Sequence, residues 1–296
     1  VNKMSKKLIL LDAYALIYRA HFAFIKNPRI NSKGLNTSAI FGFCNSLLEV
    51  TNKFDPSHIG VVFDPPGGSD REGVFADYKA NRQEMPEDIR KAIPYIFDLL
   101  KAMNIKVEME EGFEADDVIG TLAKQAEKKG FETYMMTPDK DFGQLVSDHI
   151  FIYKPGRSGN PSEILGPKEV GEKFEVKDPL QVIDILGLWG DAVDNIPGVP
   201  GVGEKTAKKL ISTYGSIENL IKNTHDLKGK LKENVEQVGV SPQGYNIYEF
   251  NYTGSKVRFR GVMAQDVLKK NPMAVGIDQN YLTVDYSKVD VPMEVV

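Results

Sequence analysis

The stretch KLILLDAYALIYRA, Lys7 to Ala20, runs apolar without a break, stops at Asp12 and continues with helical spacing. It reads as a buried strand that ends on an acid and feeds directly into a helix. The device recurs in HIGVVFDPPGG (His58–Gly68), where an apolar strand reaches Asp64 and a Pro-Gly stop follows. In FETYMMTPDKDFGQLV (Phe131–Val146) a third strand delivers Asp139 and Asp141, and HIFIYKP (His149–Pro155) reads as a further strand. Between them, KVEMEEGFEADDVIGTLAKQAEKKG (Lys106–Gly130) is a strand, a loop and an amphipathic helix closed by a glycine. Strands alternating with helices predict an α/β fold with a largely parallel central sheet. In such sheets the working site lies beyond the carboxyl ends of the strands, where Asp12, Asp64 and Asp139 fall.

From about Pro167 the pattern changes to short helices and Gly-rich turns. GLWGDAVDNIPGVPGVGEKTAKKLI (Gly187–Ile211) carries Asp191 and Asp194, three apart on an expected helical face, and then turns through Gly198, Gly201 and Gly203 into a basic helix. Beyond about Leu231 the chain becomes rich in Tyr, Val and Asn with strand-like alternation. Three parts are therefore expected: an α/β domain over 1–166, a helical subdomain over 167–230, whose IPGVPGVGEKTA resembles the helix–hairpin–helix type of DNA-binding turn, and a small β-rich segment over 231–296.

Nine acids stand out: Asp12, Asp64, Glu114, Asp116, Asp117, Asp139, Asp141, Asp191 and Asp194. Each alone is an ordinary strand end, turn or helix cap, since a helix N-terminus welcomes negative charge. Together they recur at the ends of successive elements. If the fold gathers them, carboxylates at close quarters need a counter-charge. An oxygen-only set without His or Cys suits Mg²⁺ or Mn²⁺, and two such ions about 4 Å apart are equipped for in-line phosphodiester displacement. DYKANRQ (Asp77–Gln83) is expected to place Tyr78, Lys79 and Arg82 on a basic helix with Arg71 upstream, offering cations for a phosphate and an aromatic ring for an unpaired base. The Gly-rich turn would bring backbone N–H groups to a DNA phosphate at a helix N-terminus, and Lys205, Lys208 and Lys209 would add salt-sensitive contacts.

The bulk numbers narrow the class. The 296 residues carry 37 basic and 41 acidic side chains, a net charge of −4, so no global basic excess announces nucleic acid. The 42% apolar content is that of a globular protein. No apolar run approaches the roughly 18 residues of a membrane span, and no membrane partner is expected. Cys44 is the only cysteine, which excludes an internal disulfide and fits a reducing cytoplasm. The N-terminal apolar run is interrupted by Asp12 and Arg19, so a secretory signal is not expected.

The motifs LLDAYALIYRA, VVFDPPG, YKANRQEMPEDI, EGFEADDVIGTLA, TPDKDFGQLV and GDAVDNIPGVPGVGEKTA closely resemble the 5′-nuclease domain of bacterial DNA polymerase I, a member of the flap-endonuclease superfamily. The resemblance covers residues 5 to about 230. It implies a PIN-like fold and a metal-dependent 5′-3′ exonuclease or 5′-flap endonuclease, with all nine acids holding divalent ions. It further implies that Lys79 and Arg82 are the arch cations, with Arg71 upstream. The turn at Gly198, Gly201 and Gly203, with Lys205, Thr206, Lys208 and Lys209, would grip duplex DNA around a monovalent cation, K⁺. The implied substrates are 5′ ends, 5′ flaps and nicked duplex, and the implied state is a monomer.

Residues 231–296 instead resemble the intramolecular chaperone domain of phage tail fibres and endosialidases, through LKEN, GVMAQ and VDYSK. The join falls where the two families' sequences coincide, which suggests a chimera. That family releases itself with a Ser–Lys dyad. The lysine matches Lys232, but the serine position holds Leu227, so no self-cleavage is expected. Two other functions stay open: a phage assembly protein, trimeric through this segment with an inert first domain, or a DNA-binding module without catalysis.

Overall fold

The computed structural model describes residues 6–67, 69–156, 161–199, 202–223, 232–252, 256–278 and 281–296. The chain forms two compact units, one of Val1–Lys173 with Asp178–Leu180 and the other of Phe174–Lys177 with Gln181–Val296. Leu227 and the expected boundary at 230/231 lie outside the described residues.

The first unit is built on β1 (Lys6–Asp12), whose Ile9, Leu10 and Leu11 are all buried. A central parallel strand is covered on both faces, so its sequence is continuously apolar. Each such aliphatic side chain contributes about 1.5–3 kcal/mol. Helices α1 (Ala13–Ala23) and α2 (Ser38–Phe54) follow, then β2 (His58–Val62), the short α3 (Arg71–Val74), α4 (Glu87–Ala102) and β3 (Lys106–Glu108). Next come α5 (Ala115–Lys128), β4 (Phe131–Met136), a 3₁₀ turn at Asp141–Leu145, β5 (Ile150–Lys154), β6 (Glu163–Leu165) and α6 (Pro167–Phe174). Ala39, Phe43, Leu47, Val50 and Phe54 of α2 recur at intervals of three and four and enter the core beside Ile89, Ala92, Ile96 and Leu100 of α4.

The six strands lie in the order β3-β2-β1-β4-β5-β6. Every neighbouring pair is parallel except the last, β5 with β6. The expected largely parallel sheet is therefore present. Successive strands move to one side of β1, and β4 then starts the other side. The order reverses between β1 and β4, which is where a crevice opens in such sheets.

One local expectation is corrected. Residues 76–81 form consecutive turns rather than a helix, and Lys79 holds φ at 56°. A left-handed residue bearing a Cβ breaks a right-handed helix.

The second unit begins with α7 (Gln181–Trp189), the two-residue strands β7 (Gly190–Asp191) and β8 (Ile196–Pro197), α8 (Glu204–Tyr214) and α9 (Ile217–Asn223). Asp191 therefore lies on a strand and residues 192–195 turn, so the expected helical face with Asp194 is not formed. Gly190 pairs with Pro197 across the tiny ladder. A Cβ on Gly190 would meet the Gly198 nitrogen at 2.3 Å, and one on Gly198 would meet the Trp189 carbonyl at 2.2 Å. Two backbones touch here, and only glycines permit it.

The same unit continues through β9 (Lys232–Val240), β10 (Asn246–Tyr252), β11 (Arg258–Gly261), α10 (Ala264–Lys270), β12 (Val275–Asp278), β13 (Tyr281–Val284) and β14 (Glu294–Val295). An antiparallel sheet in the order β14-β11-β10-β9 accompanies a cluster of Tyr245, Val262, Val267, Ala274, Val275 and Val291. The expected small β-rich C-terminal part is thus folded.

Candidate metal centre and nucleic-acid interface

Asp12 ends β1 and caps α1. Its Oδ1 accepts the Ala15 N–H at 3.2 Å, and its Oδ2 accepts the Thr137 hydroxyl at 3.0 Å. Thr137 follows β4 across the switch point, and its oxygen also accepts the Asp139 N–H at 3.2 Å. Asp139 in turn accepts the Asp141 N–H at 2.9 Å, while Asp141 pairs with Lys140 at 3.6 Å. Beyond β2, Asp64 accepts the N–H of Ala115, the first residue of α5, at 2.7 Å. This is the use of a carboxylate that an open helix N-terminus favours.

These links bring Asp12, Asp64, Asp116 and Asp139 into one electrostatic group. Burial pushes the Asp12 carboxyl up to about 6, and Asp64 and Asp139 add to it against the lowering by Ala15 and Thr137. Burial, followed by the negative fields of Asp12, Asp139 and Asp64, pushes Asp116 up to about 8, with Lys79 opposing. Asp12 and Asp116, raised by burial and by the charges of Asp64 and Asp139 beside them, stand in the kind of donor set a divalent cation relieves. Among the described residues no three acids close tightly enough to hold an ion unaided. Mg²⁺ keeps several waters while taking only one or two protein carboxylates, so it does not require a closed protein cage. The oxygen-only set fits that ion.

Glu114 and Asp117, which flank Asp116 at the start of α5, are paired with cations in this structure. Glu114 is the N-cap of α5 and forms a capping box with Asp117, which accepts the Glu114 N–H at 3.2 Å. The Glu114 side chain accepts from Ser69 at 2.9 Å, Arg71 at 2.5 Å and Tyr78 at 3.0 Å, and lies 2.8 Å from the Lys79 ammonium. Arg71 also reaches Asp117 at 2.7 Å. Although burial opposes ionisation, the hydrogen bonds from Lys79 and Ser69 and the charges of Lys79 and Arg71 hold Glu114 below the usual range. Cations have claimed these two acids. Tyr78 is 8% exposed with its hydroxyl on Glu114, so its ring is not offered to a base as expected. Arg82 is exposed, and its charge reaches both Lys79 and Tyr18.

Asp191 and Asp194 lie in the second unit, both half-buried, and Asp191 accepts the Val193 N–H at 2.8 Å. Gly203 caps α8, and a Cβ there would meet nothing within 4 Å. Lys205 and Lys209 are exposed and Thr206 half-buried. Lys208 is 12% exposed at its side chain, ion-paired with Glu204 at 2.7 Å and placed over the Phe174 ring, so it is not the open surface cation expected. Gly201 lies outside the described residues. Sequence reasoning missed Thr137 and Ser69. Their hydroxyls are visible in TPD and GSD only as polar residues beside an expected acid or cation.

A parallel sheet with acids at its switch point, followed by a helical unit, is the fold of the flap-endonuclease class. The bacteriophage T5 flap endonuclease, solved as a pseudo-enzyme-product complex with DNA and metal ions, matches it with a TM-score of 0.60 at 20% identity, over 73% of this chain and 78% of that one. The model of the 5′-3′ exonuclease N-terminal resolvase-like domain matches residues 7–175, and that of the C-terminal SAM fold matches residues 177–244. The chain belongs to the 5′-3′ exonuclease family. It is 41% identical over 218 residues to the 5′-3′ exonuclease of Aquifex aeolicus, covering 74% of this chain and 73% of that protein. It is 43% identical over 234 residues to DNA polymerase I of Bacillus subtilis, covering 78% of this chain and 26% of that protein, so it spans about a quarter of that relative's length. The SAM-fold match reaches past residue 230, where a foreign tail was expected to begin.

Proposed function

We propose that this chain is a divalent-metal-dependent 5′-3′ exonuclease and structure-specific 5′-flap endonuclease that hydrolyses DNA phosphodiesters with two metal ions. The observation that carries the reading is the gathering of Asp12, Asp64 and Asp139 at the carboxyl ends of a parallel sheet, with Asp116 at the start of α5 feeling the charge of all three, in a chain of this family. Mg²⁺ or Mn²⁺ held there would supply Lewis acidity, a lowered pKa for water and neutralisation at the attacking and leaving oxygens.

The chain's own groups divide the remaining work. Thr137 and the Ala15 N–H orient Asp12, and Asp141 extends the acid group beyond Asp139. Arg71, Lys79 and Arg82 neutralise the scissile phosphate. The N-terminus of α8, with Gly203, Lys205, Thr206 and Lys209, takes a duplex phosphate, and K⁺ at the adjoining turn would organise it. Glu114, Asp117, Asp191 and Asp194 are assigned to the ion set by family resemblance alone. The reading includes the 1–166, 167–230 and 231–296 division, a cytoplasmic setting, a monomer, and a role in DNA replication and repair like that of DNA polymerase I. Residues 231–296 are read as a tail-fibre-like appendage.

The test is a labelled 5′-flap duplex assayed with Mg²⁺ and then with EDTA. Cutting is expected with Mg²⁺ alone, and Asp116→Ala and Asp139→Ala should each lower it at least about a hundred-fold with DNA binding retained. Turnover undiminished in both variants would displace the site. Sedimentation of the same preparation separates the alternative, because a trimer would favour phage assembly through the C-terminal segment.

A further inference from the structure

Val199 and Val202 alternate with the glycines of the turn that leads into α8, and both line a chamber of about 240 Å³ within the second unit. The Val199 N–H donates to the Leu188 carbonyl at 2.8 Å, and the Val202 N–H to the Val199 carbonyl at 2.9 Å. The turn is thereby fastened to the end of α7, whose Leu188 lines the same space. Leu210 of α8 adds to the wall, while Lys205 and Lys209 of that helix are exposed. The C-terminal part closes the chamber with Leu268 of α10 and Leu282 of β13. Among the described residues that line it, Tyr214 alone carries a side-chain polar atom. A buried water needs about two to four polar partners, which a wall of hydrocarbon does not offer, whereas an apolar molecule gains by leaving water for it. An apolar cavity of about 150 Å³ already admits benzene, so this chamber has room for a two-ring aromatic molecule or an alkyl chain of that bulk. An occupant would give Val199 and Val202 partner atoms on their inner side, and a turn so held loses less freedom when it meets DNA.

We propose that this chamber is a binding site for one small uncharged apolar molecule, aromatic or alkyl, and that its occupant tightens the hold of the adjoining turn on duplex DNA. The effect on DNA rests on the nuclease reading, which brings a duplex phosphate to α8; the site itself does not. Val199 and Val202 carry the coupling, because they belong to the wall and to the turn at once. The two ligands then strengthen each other's binding by the same factor.

The test uses the full chain in EDTA with N-phenyl-1-naphthylamine, a neutral apolar fluorophore. Its fluorescence should rise to saturation at one molecule per chain, and its presence should raise the melting temperature, since it binds the folded chain alone. Leu268→Trp puts a larger side chain into the same space and should weaken that binding at least about ten-fold, the scale of a methylene group in an apolar pocket. Should Leu268→Trp fail to fold by circular dichroism, Leu282→Phe decides in its place. Fluorescence that never saturates, or equal affinity in the folded variant, overturns the site. Anisotropy of a labelled nicked duplex then reads the coupling. The duplex should bind about five-fold tighter or more to probe-saturated wild type, with no such gain from the probe in the variant. Unchanged duplex affinity with the probe bound overturns the coupling. Absent duplex binding rejects the nuclease reading together with the coupling, and the probe titration still decides the site.

Discussion

Thr137 joins two acids that the chain supplies 127 residues apart, Asp12 and Asp139, by donating to the first and accepting from the backbone of the second. It is fully buried, as is most of Asp12. Valine has nearly the same shape but no hydroxyl. Thr137→Val should cost about 1–3 kcal/mol, because a buried carboxylate oxygen loses a donor. The loss also removes one of the interactions holding Asp12 down, so its carboxyl should titrate still higher. Urea denaturation in EDTA checks the first effect and the pH profile of flap cutting the second, whose acid limb should move to higher pH. Unchanged stability would mean the hydroxyl is not spent on Asp12. A threonine between Met136 and Pro138 gives no sign of this duty in the sequence, since its partner is far along the chain.

At the scale of elements, the strand ends are legible, and so are the two environments of the acids at the start of α5. Apolar runs that stop at Asp12, Asp64 and Asp139 are local facts, and parallel topology carries them to one edge. In EGFEADD, Glu114 and Asp117 are three apart and share a face of α5, while Asp116 points about 100° away from its neighbour. That spacing alone separates the capping pair taken by Arg71 from the acid that meets Asp12. The Lys79 turn was not legible, because a positive φ at lysine is imposed by tertiary partners. The glycines of NIPGVPGVG were read for function, yet Gly198 has a structural duty as well. Gly198→Ala forces a Cβ into the Trp189 carbonyl and should destabilise the second unit by about 1–3 kcal/mol or more. Gly203→Ala, which meets open space, should be far milder. Paired thermal melts decide: equal losses in the two variants would refute the close backbone contact at β7 and β8.

For the whole molecule, the acid group couples folding to pH and to divalent ions. Asp12 and Asp116 rise from 3.8 to about 6 and about 8. Unfolded carboxyls lose their protons near the lower value, so between these limits the folded chain holds more protons than the unfolded one. The stability these two groups contribute is therefore full below about pH 4 and falls as pH climbs through about 6 and then 8. Groups shifted the other way do not blur that window. Glu114 and Glu249, held below 4.5, act only on the acid side of it. Lys232, pushed down to about 8 from 10.5 by burial, adds stability only as pH rises beyond about 8. In EDTA at constant ionic strength, the melting temperature should fall from about pH 5 to about pH 8. Mg²⁺ should raise it little at the acid end and most at the alkaline end, because the ion replaces protons that must first leave. Calorimetry in two buffers of different ionisation enthalpy should register proton release on Mg²⁺ binding near neutral pH. Asp116→Asn should flatten both the pH slope in EDTA and the Mg²⁺ gain, since it removes the most strongly coupled charge. A melting temperature that climbs with pH in EDTA, or a Mg²⁺ gain that is the same at both ends, would mean the carboxylates are too far apart to share a cation.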